Sequence, residues 1–340
     1  KLKESIGFQT VQIRTFEGEP LYSFNSIPQI AEDGLNYGVK DLCIMDPIAG
    51  LFLRPDDGDF WEDFDSHQVI DDLRFSLSMV REMDVNVSAM VNFRLMKRRS
   101  KQYMAYGEDQ VQRSIYGAPL MEDWSGCSSS HAAFNNPYLT QDGVILCQRC
   151  PGFVKKSLDL TVKTLRLGFT SLFIDQSYDE NPCLSESHGH RSSDDTQEAA
   201  VDWIREAAAQ VRAQSLDSYL IGENCDPFMI QNVDVNWNWN WKDLKPEVFR
   251  YTFPESMVSY VVDRQKYVLN KAFALGCLAA FTTCGCETTL SAYPEFGEHV
   301  KRLAELKSAT YDYVADGLYR DNKGLEVQGA FAGVYESEKH

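Results

Sequence analysis

The chain has 340 residues, 44% of them hydrophobic and 12% aromatic, and a formal net charge of -17. That is enough apolar material for one large α/β domain or two smaller ones. No run of eighteen apolar residues occurs, which argues against a membrane span, and so acidic a surface repels phosphate backbones, which makes nucleic acid a poor partner.

Lys1 opens the chain without a signal-like apolar run, as expected of a mature form or an excised domain. Short β-rich runs then alternate with longer amphipathic ones, the pattern of a parallel sheet with crossover helices. The first strand is read at Thr10 to Arg14, followed by a helix from Ile27 to Gly38 with Pro28 in its first turn. Strand two is Asp41 to Met45, helix two Ser66 to Met83, and strand three Val85 to Asn92. A stretch rich in Tyr, Ser, Gly and Asn occupies residues 97–146; loops of that length are usually functional, and this one is expected over the mouth of the fold. Helix three is Phe153 to Leu167, strand four Ser171 to Ile174, helix four Asp194 to Gln214, and strand five Ser218 to Ile221. A short helix is expected at Pro227 to Gln231 and strand six at Val233 to Trp237. Strand seven is placed at Val248 to Phe253, helix seven at Met257 to Leu275, strand eight at Cys277 to Thr282, and helix eight at His299 to Gly317.

Eight strand–helix units predict an α/β fold, a (β/α)8 TIM barrel spanning residues 1–320, with an open doubly wound sheet as the rival. Residues 321–340 form a C-terminal extension, with strand character from Leu325 to Tyr335 that would suit the start of a β module.

In such a barrel the site is built at the C-terminal ends of the strands. The polar residues expected there are Arg14, Asp46, Asn92, Arg94, Asp175, Gln176, Glu223, Asn238 and Glu255, together with Trp237. Packing needs none of these charges, so convergence on a site is the better reading. Asp175 and Glu223 close neighbouring strands, and neighbours lie about 4.8 Å apart. Their carboxyls can therefore stand about 5–5.5 Å apart, the spacing of retaining glycosidases. The short Asp175 would be the ionised nucleophile and Glu223 the acid/base, with Glu255 able to replace Glu223 and Asp234 a weaker candidate at a strand start. A capping role for Asp175, or pairing of Glu223 with Arg14 or Arg94, accounts for the same residues structurally.

Trp237, Trp239 and Trp241 alternate with Asn. Indole faces and amides suit the C–H faces and hydroxyls of sugars, whereas alternation also suits core packing. Of the nine cysteines, Cys43, Cys225 and Cys277 read as small core hydrophobes. Cys147, Cys150 and Cys183 lie in polar connections. With His188 and His190 they resemble a metal site, but the halves are separated and the spacing is weak for zinc. A Cys150–Cys183 disulfide, or binding of substrate hydroxyls by His188 and His190, are the competing readings. No phosphate-binding glycine motif, P-loop or nucleophile elbow occurs, so the expected partner is a carbohydrate substrate, without cofactor, metal or nucleic acid.

Cys150-Pro151, Phe173-Ile174-Asp175-Gln176, Cys183 with His188-Gly189-His190, Gly222-Glu223 and Tyr251-Thr252-Phe253-Pro254-Glu255 together resemble an uncharacterised family of glycoside-hydrolase-like (β/α)8 barrels common in polysaccharide-degrading bacteria. The resemblance covers about residues 150 to 290. An Asp after strand four and a Glu after strand five are also similar to the α-amylase superfamily and to endo-α-N-acetylgalactosaminidases. That likeness implies a barrel glycosidase, Asp175 as nucleophile, Glu223 as acid/base and an α-linked substrate. The sequence departs from the family at Arg191-Ser192-Ser193, where a Gly-rich turn is expected, and at Asn224-Cys225-Asp226. The rival functions are a carbohydrate-binding barrel without catalysis and a metal-dependent hydrolase using His188, His190 and Asp175.

Overall fold

A computed structural model of the chain describes residues 2–13, 21–45, 68–98, 100, 102–121, 143–177, 182–192, 195–223, 225–239, 246–281 and 289–337. Eight parallel strands close into a barrel: β1 (Gly7–Val11), β2 (Asp41–Ile44), β3 (Asn86–Val91), β6 (Ser171–Ile174), β7 (Leu220–Glu223), β8 (Val235–Asn238), β9 (Met257–Val261) and β10 (Leu278–Phe281), with β10 pairing back onto β1. The (β/α)8 expectation holds. Around the barrel run α1 (Ile27–Asn36), α2 (Gln68–Glu82), α3 (Pro151–Arg166), α4 (Asp195–Arg212), α5 (Pro246–Thr252), α6 (Lys266–Ala274), α7 (Pro294–Ala309) and the short α8 (Tyr311–Val314). Two antiparallel pairs stand outside the barrel. One is β4 (Leu95–Lys97) with β5 (Gly143–Ile145); the other is β11 (Leu318–Tyr319) with β12 (Tyr335–Glu336).

Local chemistry explains the boundaries. α1, α3 and α7 each carry proline in the first turn, where the missing N–H costs nothing and φ is already helical. α1 and α3 give way to Gly38 at φ 83° and Gly168 at φ 118°, a left-handed region open to glycine. Gly7 starts β1 because a Cβ there would stand 1.8 Å from the carbonyl oxygen of Ala279 on β10.

Two apolar layers form on opposite faces of the strands. Phe8, Cys43, Phe173, Tyr219, Ile221, Val235, Trp237, Leu278 and Ala280 fill the barrel interior. Leu42, Ile44, Leu172, Ile174 and Leu220 face outward onto α2, α3 and α4 through residues such as Leu73, Leu77, Phe153 and Trp203. A period of two thus assigns inward and outward parity along every strand.

Two strands differ from expectation. β1 begins three residues earlier than read, at Gly7 rather than Thr10. Residues 248–252 are helical within α5, and the seventh barrel strand is β9, starting nine residues after Val248. The aromatic and β-branched run Val248-Phe249-Arg250-Tyr251-Thr252-Phe253 suggests a strand, but Phe249 and Phe253 stack four residues apart, with ring centroids 5.1 Å apart, and Phe249 and Arg250 are both buried. That is helical spacing. The predicted helix seven accordingly begins at Lys266 rather than Met257, and residues 227–231 form turns rather than a helix.

Candidate active site

Strand parity delivers four side chains to one end of the barrel. Phe173 is inside, so Asp175 two residues on also points inward. Ile221 does the same for Glu223, Met90 for Asn92 and Trp237 for Trp239. Ile174 of β6 is in register with Gly222 of β7, which sets Asp175 beside Glu223.

The carboxyls of Asp175 and Glu223 are close enough for each to shift the other's hold on its proton. Both residues are 4% exposed. Two groups donate to Glu223, the Gln176 backbone N–H at 2.7 Å and the Trp239 indole N–H at 2.6 Å. The Asn92 amide donates to Asp175 Oδ2 at 3.0 Å and to the Gln176 side-chain oxygen at 3.0 Å. Arg94 lies near enough to favour the charged form of both acids and donates to the Gln176 carbonyl at 3.1 Å.

The surroundings bias the two acids differently. Burial pushes Asp175 well up, and the charge of Glu223 pushes it further. Burial also raises Glu223, but the neighbouring Asp175 and the N–H groups of Gln176 and Trp239 hold it back.

Gln176 has φ 49°, a left-handed backbone that costs a residue with a Cβ about 1 kcal/mol. The twist aims its N–H at Glu223 while its side chain meets Asn92. Asn92 also accepts from the N–H groups of Arg94 and Leu95, at 2.9 Å each. Asn92, Arg94 and Gln176, expected to bind substrate, are thus buried braces of the acid pair.

Other expected site residues lie elsewhere. Trp237 is 0% exposed, its ring 4.9 Å from that of Phe173 and 5.7 Å from that of Phe8; it is core, because its parity places it one layer below the mouth. Trp239 is the tryptophan that reaches the site. Glu255 is exposed in the turn leading into β9, at the opposite end of the barrel, because the segment before it is a helix and not a strand. Asp234 pairs with Arg212 at 2.9 Å and accepts from the Leu220 N–H, a structural role. Asn238 is buried. Arg14, Asp46 and Trp241 lie outside the described residues.

His188 is 3% exposed, and both its ring nitrogens are engaged, Nδ1 with Cys183 Sγ at 3.4 Å and Nε2 with the Asp109 carbonyl at 2.8 Å. His190 Nε2 lies 3.2 Å from Cys147 Sγ. The His188 ring is thus fully engaged, whereas His190 Nδ1 is buried without a hydrogen-bond partner. Cys183 turns to Cys147, not Cys150, and the described cysteines are all free thiols, so the Cys150–Cys183 disulfide is absent. Gln148 was not foreseen: its amide donates to the Ser177 carbonyl at 3.2 Å, tying the end of the long insertion to the strand end that carries Asp175. Nothing in its sequence neighbourhood marks it beyond the adjacent Cys147.

No protein-family model matches the chain, and no curated protein matches it. Solved structures do. The galactosidase domain of the α-galactosidase–sucrose kinase AgaSK superposes with a TM-score of 0.65 at 12% identity, covering 98% of this chain and 44% of that one. Amy13B of Eubacterium rectale gives 0.66 at 11% identity, covering 98% and 85%. An α-amylase from Geobacillus thermoleovorans, solved with acarbose, gives 0.62 at 11% identity, covering 94% and 81%. The chain spans less than half the length of the first of these and most of the other two. At such identities the likeness is one of fold: the chain is built as the α-amylase and α-galactosidase barrels are.

Proposed function

We propose that this chain is a retaining glycoside hydrolase acting on an α-linked sugar, with Asp175 attacking the anomeric carbon and Glu223 acting as acid, then base. The observation that carries the reading is the pair of buried carboxyls on adjacent strand ends, each acting on the other's proton. A nucleophile and an acid need one proton between two carboxyls, and two acids set side by side away from water favour that ratio. The α-galactosidase and α-amylase barrels with the same fold support the α-linkage.

A sugar ring entering between the acids parts them. Asp175 then loses the negative neighbour that raised it, while the Asn92 amide and the Arg94 charge favour its carboxylate. The proton passes to Glu223, which is buried and next to the departing oxygen. Asp175 attacks, the C–O bond to the leaving group breaks, and Glu223 protonates that oxygen. Water, deprotonated by Glu223, then displaces Asp175 and restores the starting proton count. Trp239, packed 6.1 Å from the Phe173 ring, offers the sugar an aromatic edge while its N–H stays on Glu223.

A panel of aryl α- and β-glycosides, with the product anomer followed by NMR, tests this. Release of an α-sugar from an α-glycoside and loss of turnover in Asp175→Asn are the expected results. Near-normal turnover by a folded Asp175→Asn protein rejects the assignment. The deep burial of both acids favours a second reading, a carbohydrate-binding barrel in which the pair stays locked. It requires sugar binding without covalent labelling of Asp175 by a mechanism-based fluoroglycoside.

A further inference from the structure

Beside the mouth, four side chains from two loops meet. Cys147 follows β5 at the end of the long insertion after β3, whereas Cys183, His188 and His190 lie in the loop between β6 and α4. One ligand atom from each, two sulfurs and two ring nitrogens, lies within 4.8 Å of all the others. We propose that Cys147, Cys183, His188 and His190 form a four-ligand zinc site that staples the insertion to the loop following Asp175.

The distances match the shape of such a site. A tetrahedral zinc with Zn–S of about 2.3 Å and Zn–N of about 2.0–2.1 Å has S···N edges of about 3.6 Å. Two of the four S···N pairs are 3.2 and 3.4 Å and the other edges lie within 4.8 Å, so a modest rearrangement admits the ion. Two sulfurs with two imidazoles select zinc over hard cations. Two thiolates neutralise the dication, so the complex can be buried without net charge.

The surroundings are those of ligands already oriented. His188 Nε2 donates to the Asp109 carbonyl, which fixes the tautomer with Nδ1 lone pair toward Cys183, the arrangement by which ligating histidines are usually held. Gly189, at φ 75° with nothing within 4 Å of where a Cβ would lie, makes the turn that brings His188 and His190 to the same point. All four positions are taken by protein, so the site is structural rather than catalytic. It is adjacent to the acid pair through Gln148, the neighbour of Cys147, which holds the Ser177 carbonyl.

The test is the metal content of the full chain purified under reducing, chelator-free conditions, with free thiols counted in parallel. One zinc per chain is expected, lost in Cys147→Ser and His190→Ala and kept in Cys150→Ser, which removes a neighbouring thiol outside the cluster. Cobalt substitution should give tetrahedral d–d bands with a thiolate charge-transfer band. Strong chelation should lower the melting temperature by roughly 5–10 °C, with recovery on adding zinc. A folded, metal-free protein that binds neither ion, whether Cys147 and Cys183 are reactive thiols or joined as a disulfide, overturns the proposal. Metal is read here without substrate, so failure leaves the catalytic reading standing, and failure of that reading leaves this one.

Discussion

At the floor of the barrel, Asp41 opens β2 among groups that suit a carboxylate. The Tyr219 hydroxyl donates to it at 2.9 Å and the Asn86 amide at 3.1 Å, and Lys307 of α7 adds a positive charge nearby. At the mouth, Asp175 faces a second acid. Both are fully buried, and burial raises both. At the floor the neighbours lower the pKa and the net rise stops at about 6; at the mouth the principal neighbour raises it further. A structural carboxylate is surrounded by donors and a cation. A pair of acids set against each other gains nothing for folding, so the contrast supports the proposal that the mouth is where chemistry takes place.

The contrast can be broken by substitution. The largest expected effect is on turnover: Asp175→Asn and Glu223→Gln should each lower kcat by about 10^4-fold, measured on the best aryl α-glycoside from the panel. Asp175→Asn should not lower stability in urea unfolding, because it removes an acid that Glu223 disfavours while keeping an acceptor for Asn92. If it costs as much as a floor substitution, the two ends are alike and the comparison fails.

The floor should behave oppositely. Asp41→Ala strands the Tyr219 hydroxyl and the Asn86 amide in a buried site, and should cost about 3–5 kcal/mol without changing KM or kcat of the folded fraction. Its pH signature has a definite sign. The folded pKa of Asp41, about 6, lies above its ordinary 3.8, so the folded state binds the proton more tightly. This contribution is fully present below about pH 4 and lost as pH rises through about 6, worth roughly 3 kcal/mol. Asp41→Asn keeps an oxygen for the two donors and should flatten the slope of stability between pH 4 and 7, measured by urea unfolding at each pH. An unchanged slope would remove Asp41 as its source.

The smallest effect sharpens the mouth. Trp239→Phe deletes the N–H that favours the charged form of Glu223. The basic limb of the pH–rate profile, set by Glu223 as acid, should move upward, with kcat reduced about 10-fold or less. A profile that does not move would make Trp239 a packing residue only.

The fold was legible because eight alternations of strand and helix carry their own punctuation: Pro28, Pro151 and Pro294 in first turns, Gly38 and Gly168 past the ends. Asp175 and Glu223 were legible for the same reason, as charges that close apolar strands. The errors came where side-chain type and spacing disagree. Residues 248–253 have the composition of a strand and the spacing of a helix, and Glu255 was misplaced with them. Trp237 and Trp239 share a face, so alternation alone does not say which lies one layer deeper; the Phe8 and Phe173 rings decide it.

By itself the sequence determined the barrel, the inward parity of its strands and the two acids at neighbouring strand ends, because these follow from local spacing and hydrophobic period. Only the tertiary structure decided what surrounds each acid and that Cys147 meets Cys183 and two histidines. Those outcomes rest on contacts between residues far apart in the chain, such as Asn92 with Asp175, 83 positions away, or His188 with Asp109, 79 away, and no local pattern encodes a distance across a closed sheet.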